Sequence, residues 1–228
     1  IKGCHAGQRK KKRYGRVQAL SDVSVECRAG EIHAVLGENG SGKSTLLGIA
    51  SGYVAPDGGT VEIGGQRLHQ ADPAEALRLG LAMAYQTYSH VLELSVAENL
   101  YLAAPAAERP PYRELEQWAA GKLAELEVAV SPTARMGSLS LAERQFLEVV
   151  KALLSKPRVL LLDEPTTALG PPDVERLHRL VLGRAAEGVG IVYVSHRLPE
   201  VLGISSRVTV LRDGEVVVYD KKARLPDM

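Results

Sequence analysis

Eight consecutive residues, Gly37-Glu38-Asn39-Gly40-Ser41-Gly42-Lys43-Ser44, satisfy the pattern GxxxxGK[ST] in full. An apolar run at 32–36 precedes them, and residues 44–51 read as a helix stopped by Gly52. Strand, glycine-rich turn and helix in that order make a phosphate cradle. Glycines let the backbone curl until its N–H groups face phosphate oxygens, and the helix N-terminus adds partial positive charge. On this reading Gly37, Asn39, Gly40, Ser41, Gly42, Lys43, Ser44 and Thr45 hold a nucleoside triphosphate. Lys43 brings charge to the β- and γ-phosphates, and the Ser44 hydroxyl ligates Mg²⁺.

A second constellation is Val159-Leu160-Leu161-Leu162-Asp163-Glu164-Pro165. A buried apolar strand here delivers two carboxylates to its C-terminal end, where α/β sheets bind ligands. Asp163 suits a Mg²⁺ contact, direct or through water. Glu164 suits the water that attacks the γ-phosphate, as base or orienter. By themselves the two motifs specify a P-loop NTPase and no more.

Those side chains need strands and helices to position them. Short apolar runs at 32–36, 81–85, 159–162 and 191–194 read as buried strands, and the alternation at 23–27 as a further strand. Gly64-Gly65 after residues 60–63, and Asp213-Gly214 between 208–211 and 215–218, are hairpin signals. Asp72-Pro73 opens a helix with an N-cap and a first-turn proline. Residues 95–154 read as helical with a proline-rich break at 105–111, and 173–187 as an amphipathic helix. The expected fold is α/β: a P-loop NTPase core with a mainly parallel sheet, an antiparallel β-subdomain and an inserted helical subdomain. Its expected division places the core and β-subdomain in 1–86 and 156–228, and the helical subdomain in 87–155.

From Tyr14 onward the chain resembles the ATPases of ABC transporters. Tyr85-Gln86 is similar to that family's Q-loop, and Leu139-Ser140-Leu141-Ala142-Glu143-Arg144-Gln145 to a variant of its LSGGQ signature. Ser195-His196 follows a strand as the family's switch histidine does, and Tyr14 stands where the family stacks an aromatic ring on adenine. The resemblance implies ATP and Mg²⁺ as ligands. It makes Glu164, His196, Gln86 and Lys43 catalytic, adds Tyr14, Ser140 and Ala142 to the nucleotide contacts, and gives Mg²⁺ to Ser44, Gln86 and Asp163. It further implies a head-to-tail sandwich of two ATPase halves, the P-loop of one facing the signature of the other. Ser140 and nearby N–H groups at a helix N-terminus would then meet the γ-phosphate.

Within that family the sequence is most similar to ribose-type sugar importers, through Gly37 to Leu46, Ser95-Val96-Ala97-Glu98-Asn99, Ser140-Leu141-Ala142, residues 148–153 and Ser195-His196-Arg197-Leu198. One polypeptide of that group usually carries two ATPase halves, so this chain is expected to be one half, the N-terminal one. The resemblance implies integral membrane permease subunits as partners, indirectly a solute-binding protein, and a peripheral place on the cytoplasmic face of the membrane. A groove near Gln86 and residues 87–98, lined by His90, Val91, Leu92 and Leu94, would receive a helix of the membrane subunit. The alternative reading is a soluble ABC ATPase acting on nucleic acid or the ribosome.

Three places depart from the family's pattern. Residues 1–13 lack its first alternating strand, and the basic run Arg9-Lys10-Lys11-Lys12-Arg13 reads as a solvated or frayed terminus, with a contact to anionic lipid or nucleic acid as the alternative. Gly170 stands where most members have the aspartate that couples the two sites. Glu143 replaces the signature glutamine, and its charge would repel a triphosphate unless it turned away or paired with Arg144.

Composition agrees with a globular chain of 228 residues, 45% hydrophobic and 24% charged. A net charge of +1 gives no bias toward nucleic acid, and no nucleic-acid partner is expected. No apolar run approaches the roughly 20 residues of a membrane span, and the first residues have no signal-peptide apolar region. Two cysteines without CxxC spacing are expected to be reduced thiols.

Overall fold

The computed structural model describes residues 4–14, 17–86 and 89–220, with side chains at 12, 19–86 and 89–217. Its centre is a six-stranded sheet ordered β10-β9-β3-β8-β7-β6. The strands are β3 (Ile32–Leu36), β6 (Leu81–Ala84), β7 (Val159–Asp163), β8 (Gly190–Ser195), β9 (Arg207–Arg212) and β10 (Glu215–Asp220). All pairings are parallel except β9 with β10, which the Asp213-Gly214 turn joins as a hairpin.

The continuous apolar strands follow from burial on both faces. Alternate side chains point to opposite sides. Val35, Val159, Leu161, Val192 and Val194 meet α1 (Lys43–Ala50) through Leu46, Leu47 and Ile49. Leu36, Leu160, Leu162, Ile191 and Tyr193 face the other way. There they join a core that includes α3 (Val96–Ala103), α4 (Leu115–Glu125), α5 (Leu141–Leu153) and α6 (Pro171–Ala186). The helix α2 (Pro73–Arg78) is capped by Asp72, whose side chain accepts from the Ala74 N–H, and α7 (Leu198–Leu202) follows β8.

Two antiparallel pairs flank the sheet: β1 (Cys4–Tyr14) with β2 (Val17–Cys27), and β4 (Val61–Ile63) with β5 (Gln66–Leu68). The first pair corrects the expectation of a frayed basic terminus. Residues 4–14 pair with β2 in an interrupted register, and Lys12 Nζ lies 3.0 Å from Asp57 Oδ1. Backbone ladder bonds do not require apolar alternation, so a strand rich in Lys and Arg was invisible to a hydrophobic pattern. The segment read as helical has a second break. Residues 126–140 are mostly irregular, and Val96 and Ala97 N–H groups bond to Ala134 and Pro132 carbonyls across it.

Candidate nucleotide site

The loop from 37 to 42 turns between β3 and α1 under steric compulsion. A side chain at Gly37 would sit 2.4 Å from Ser41 Oγ and 2.5 Å from the Leu211 carbonyl. Gly42 has φ +102° and would press 2.6 Å from the Ala19 carbonyl. Only glycine takes that conformation without strain. Asn39 and Gly40 are exposed on the rim, Ser44 is exposed on the first turn of α1, and Thr45 is half-buried behind it. Ser41 Oγ is buried and without a hydrogen-bond partner, an oriented donor left over by the fold. Lys43 Nζ donates to the Gly37 and Glu38 carbonyls at 2.7 and 2.8 Å, so its ammonium is held inside the loop.

β7 ends beside this loop. Asp163 is 7% exposed and its Oδ1 has no hydrogen-bond partner. Burial, then the neighbouring Glu164 charge, raise its pKa above the ordinary carboxylate value, against an opposing pull from Lys43. Such an oxygen suits a hard cation.

Glu164 is the point of convergence. It has φ +47°, rare for a residue with a side chain, and its N–H donates to the Val194 carbonyl at 3.1 Å, which ties the turn to β8. His196 Nδ1 lies 3.3 Å from Glu164 Oε2, Gln86 Nε2 donates to the same oxygen at 3.4 Å, and Lys43 Nζ is 4.0 Å from Oε1. Three residues drawn from three distant parts of the sequence, at positions 43, 86 and 196, thus surround one carboxylate. Sequence reasoning missed a fourth, Thr167, whose Oγ1 donates to the Glu164 carbonyl at 3.1 Å and lies 3.4 Å from Oε2. Nothing in its local pattern set it apart from the adjacent Thr166.

Tyr14 closes β1, paired with Val17; its side chain lies outside the described residues. Ser140 is the N-cap of α5, with Ala142 half-buried in the first turn. Glu143 does not pair with Arg144. Its Oε2 accepts from both the Ser140 N–H and the Ser140 hydroxyl at 2.8 Å, and the Glu143 N–H donates back to Ser140 Oγ at 3.2 Å. The spacing Ser-x-x-Glu is the sequence signal of that capping box. Arg144 Nη2 instead donates to the Gly137 carbonyl at 2.7 Å. Gly170 is the N-cap of α6 and offers no side-chain cap.

A cleft of about 450 Å³ opens beside Tyr85, with Tyr53, Leu77, Val91 and Leu102 among its walls. All four of these apolar side chains are exposed. Of the groove residues expected from sequence, only Val91 lines this cleft; Leu92 and Leu94 do not. His90 is buried, with Nε2 3.0 Å from the Arg144 carbonyl. Thr87, which opens the expected groove segment, lies outside the described residues.

A P-loop between strand and helix, and a carboxylate pair at the end of a parallel strand one strand removed in the same sheet, define the class of P-loop nucleotide-binding proteins. The family described as "ABC transporter" matches residues 20–167. The "Ribose import ATP-binding protein RbsA 1" of Rubrobacter xylanophilus is 45% identical over 213 residues, 90% of this chain and 42% of that protein. The "Putative ribose/galactose/methyl galactoside import ATP-binding protein 3" of Agrobacterium fabrum is 42% identical over 208 residues, 88% of this chain and 41% of the relative. Among solved structures, an ATP-binding subunit of an ABC transporter superposes with a TM-score of 0.80 at 27% identity, covering 96% of this chain and 89% of that one. An ATP-binding cassette of an ABC transporter superposes at 0.86 and 25% identity, covering 97% and 92%. The chain belongs to the ABC transporter family and has the fold of its ATP-binding cassettes. It spans about two fifths of the length of the curated relatives it matches.

Proposed function

We propose that this chain is an ATP-binding and ATP-hydrolysing half-subunit that energises import of a sugar or related small solute across a membrane. The observation that carries the ATPase reading is the convergence of Lys43, Gln86 and His196 on Glu164, beside the phosphate loop. Glu164 orients or deprotonates the attacking water, His196 and Gln86 set its position, and Lys43 turns from the loop carbonyls to the β- and γ-phosphates. The orphaned Ser41 Oγ offers a further phosphate donor.

The residues fit Mg²⁺. Asp163 presents a buried unpaired oxygen and Ser44 an exposed hydroxyl, and Mg²⁺ is characteristically held by one or two such ligands together with substrate phosphates. Bound there with Gln86, it would neutralise phosphate charge. Adenine stacking on Tyr14 and γ-phosphate binding by Ser140 across a head-to-tail pair belong to the same proposal. So does the division into a core of 1–86 and 156–228 with a helical subdomain of 87–155.

Sugar import rests on relatives whose names describe ribose or galactoside import. The apolar cleft beside Tyr85 supports a membrane permease as partner, since exposed apolar patches of this kind mark protein contacts. No helix among the described residues is long and apolar enough to cross a membrane. A peripheral place on the cytoplasmic face, held by permease subunits that also meet a solute-binding protein, follows from this reading. The test is purification of the full-length protein from solubilised membranes with its partners identified by mass. Recovery of a polytopic permease is expected; recovery of ribosomes or nucleic acid without one would overturn the import reading.

A further inference from the structure

The residues that meet at Glu164 and His196 sit on two separate turns, one after β7 and one after β8. The Glu164 turn has backbone bonds of its own, from the Thr167 N–H to the Glu164 carbonyl at 3.3 Å and from the Leu169 N–H to the Thr166 carbonyl at 3.0 Å, and further contacts tie it to the β8 side. The Glu164 turn is anchored at its start by the Val194 carbonyl. Its far side is anchored by a side chain. Thr166, 3% exposed, donates its hydroxyl to Glu200 Oε2 at 2.7 Å. Glu200 lies in the first turn of α7, the helix that continues directly from His196. Its other oxygen accepts from Arg197 Nη1 at 2.9 Å, and the Arg197 N–H donates to Ser195 Oγ at 3.0 Å. One carboxylate therefore grips the turn of Glu164 with one oxygen and the turn of His196 with the other.

The grip is flanked by buried polar groups. Tyr193 is fully buried on β8, with its hydroxyl 3.4 Å from His178 Nε2 on α6. Burial, and then the Glu200 charge, push the pKa of the Tyr193 phenol upward. Thr166, Glu200, Tyr193 and His178 form a polar cluster at the ends of β7 and β8.

We propose that Glu200, acting through Thr166 and Arg197, is a positioning residue that sets the distance between Glu164 and His196. This rests on the roles proposed above for those two residues. A charge-assisted hydrogen bond is shorter and stronger than a neutral one and fixes direction as well as distance. Misplacement of reacting groups by about 1 Å costs on the order of a hundredfold in rate.

The experiment is steady-state ATP hydrolysis and ATP binding in the full-length protein that carries this chain. The variants are Thr166→Val, which keeps shape and removes the hydroxyl, Thr166→Ser, Glu200→Ala and Glu200→Gln, with Glu164→Gln as the control. Thr166→Val and Glu200→Ala are expected to lower kcat by about a hundredfold with KM and affinity for ATP unchanged. Thr166→Ser, which keeps the donor, is expected to recover most of it, whereas Glu200→Gln, which keeps one acceptor oxygen and turns an amide donor toward Arg197, is expected to recover only part. Turnover undiminished in Glu164→Gln would overturn the underlying ATPase reading. Turnover abolished in Glu164→Gln but intact in Thr166→Val and Glu200→Ala would overturn the positioning role alone. A parallel loss of kcat, ATP affinity and thermal midpoint, without rescue by serine, would also overturn it and assign the pair to general stability.

Discussion

His196 Nδ1 lies 3.3 Å from Glu164 Oε2, although 32 positions separate the two residues in sequence and each stands at the end of its own strand. The carboxylate can orient the ring, and the ring can hold the carboxylate against water. In the proposed reaction this pair faces the γ-phosphate together. Glu164→Gln is expected to lower kcat by about a hundredfold or more while ATP still binds, so that an ATP-bound pair accumulates. Size-exclusion chromatography with ATP reads the pairing, and phosphate release reads the turnover. Full turnover in the variant would sink the assignment.

His196→Ala should also lower kcat, by roughly a hundredfold if the ring stabilises developing phosphate charge. In a double variant with Glu164→Gln the two losses should be far from additive, because contacting residues couple. Additive losses in the cycle would separate the pair functionally.

Glu143 carries a negative charge on the Ser140 hydroxyl that the proposed sandwich directs at a γ-phosphate. Glu143→Gln keeps the geometry of a capping box and removes the charge. ATP-dependent pairing should tighten by about tenfold, equivalent to about 1.4 kcal/mol, and the effect should shrink at high salt. Sedimentation with and without ATP measures it; weaker pairing in the variant would reverse the argument.

Gly42→Ala would place a methyl group 2.6 Å from the Ala19 carbonyl and 2.8 Å from Leu20 Cδ2, at a φ of +102°. A destabilisation of about 1–3 kcal/mol is expected, together with loss of ATP binding, because the loop and β2 cannot both keep their places. Thermal unfolding and nucleotide titration check the two halves of that statement.

His33 supplies the pH prediction. It is fully buried, with Nδ1 2.5 Å from the Glu26 carbonyl and Nε2 2.8 Å from Thr209 Oγ1. The carbonyl can only accept, so Nδ1 carries the proton and Nε2 accepts from the threonine. Burial lowers its pKa from 6.5 to about 4, despite the raising effect of the Glu26 carbonyl. The folded state therefore binds fewer protons than the unfolded state between those values. Stability is fully present above pH 6.5 and falls as pH drops toward 4, by up to about 3 kcal/mol from this residue. A His33→Gln variant should show a flatter decline in denaturation midpoint over that window. An unchanged slope would remove His33 as the cause.

The sequence by itself determined the phosphate loop and the carboxylate strand, because both are local. A glycine at 42 is required by a backbone angle, and the run 159–162 is apolar because both faces of β7 are covered. The strands of the sheet and the family resemblance were readable for the same reason. The basic strand β1 was not, since its ladder with β2 leaves no apolar period. The partner of Glu143 was legible in the Ser-x-x-Glu spacing, and the structure places its carboxylate on Ser140 and not on Arg144. Only tertiary structure decided that Lys43, Gln86 and His196 gather on Glu164, and that Glu200 spans two turns. Those contacts join residues far apart in the chain, so they depend on strand order and on how each strand ends, and a linear pattern holds neither.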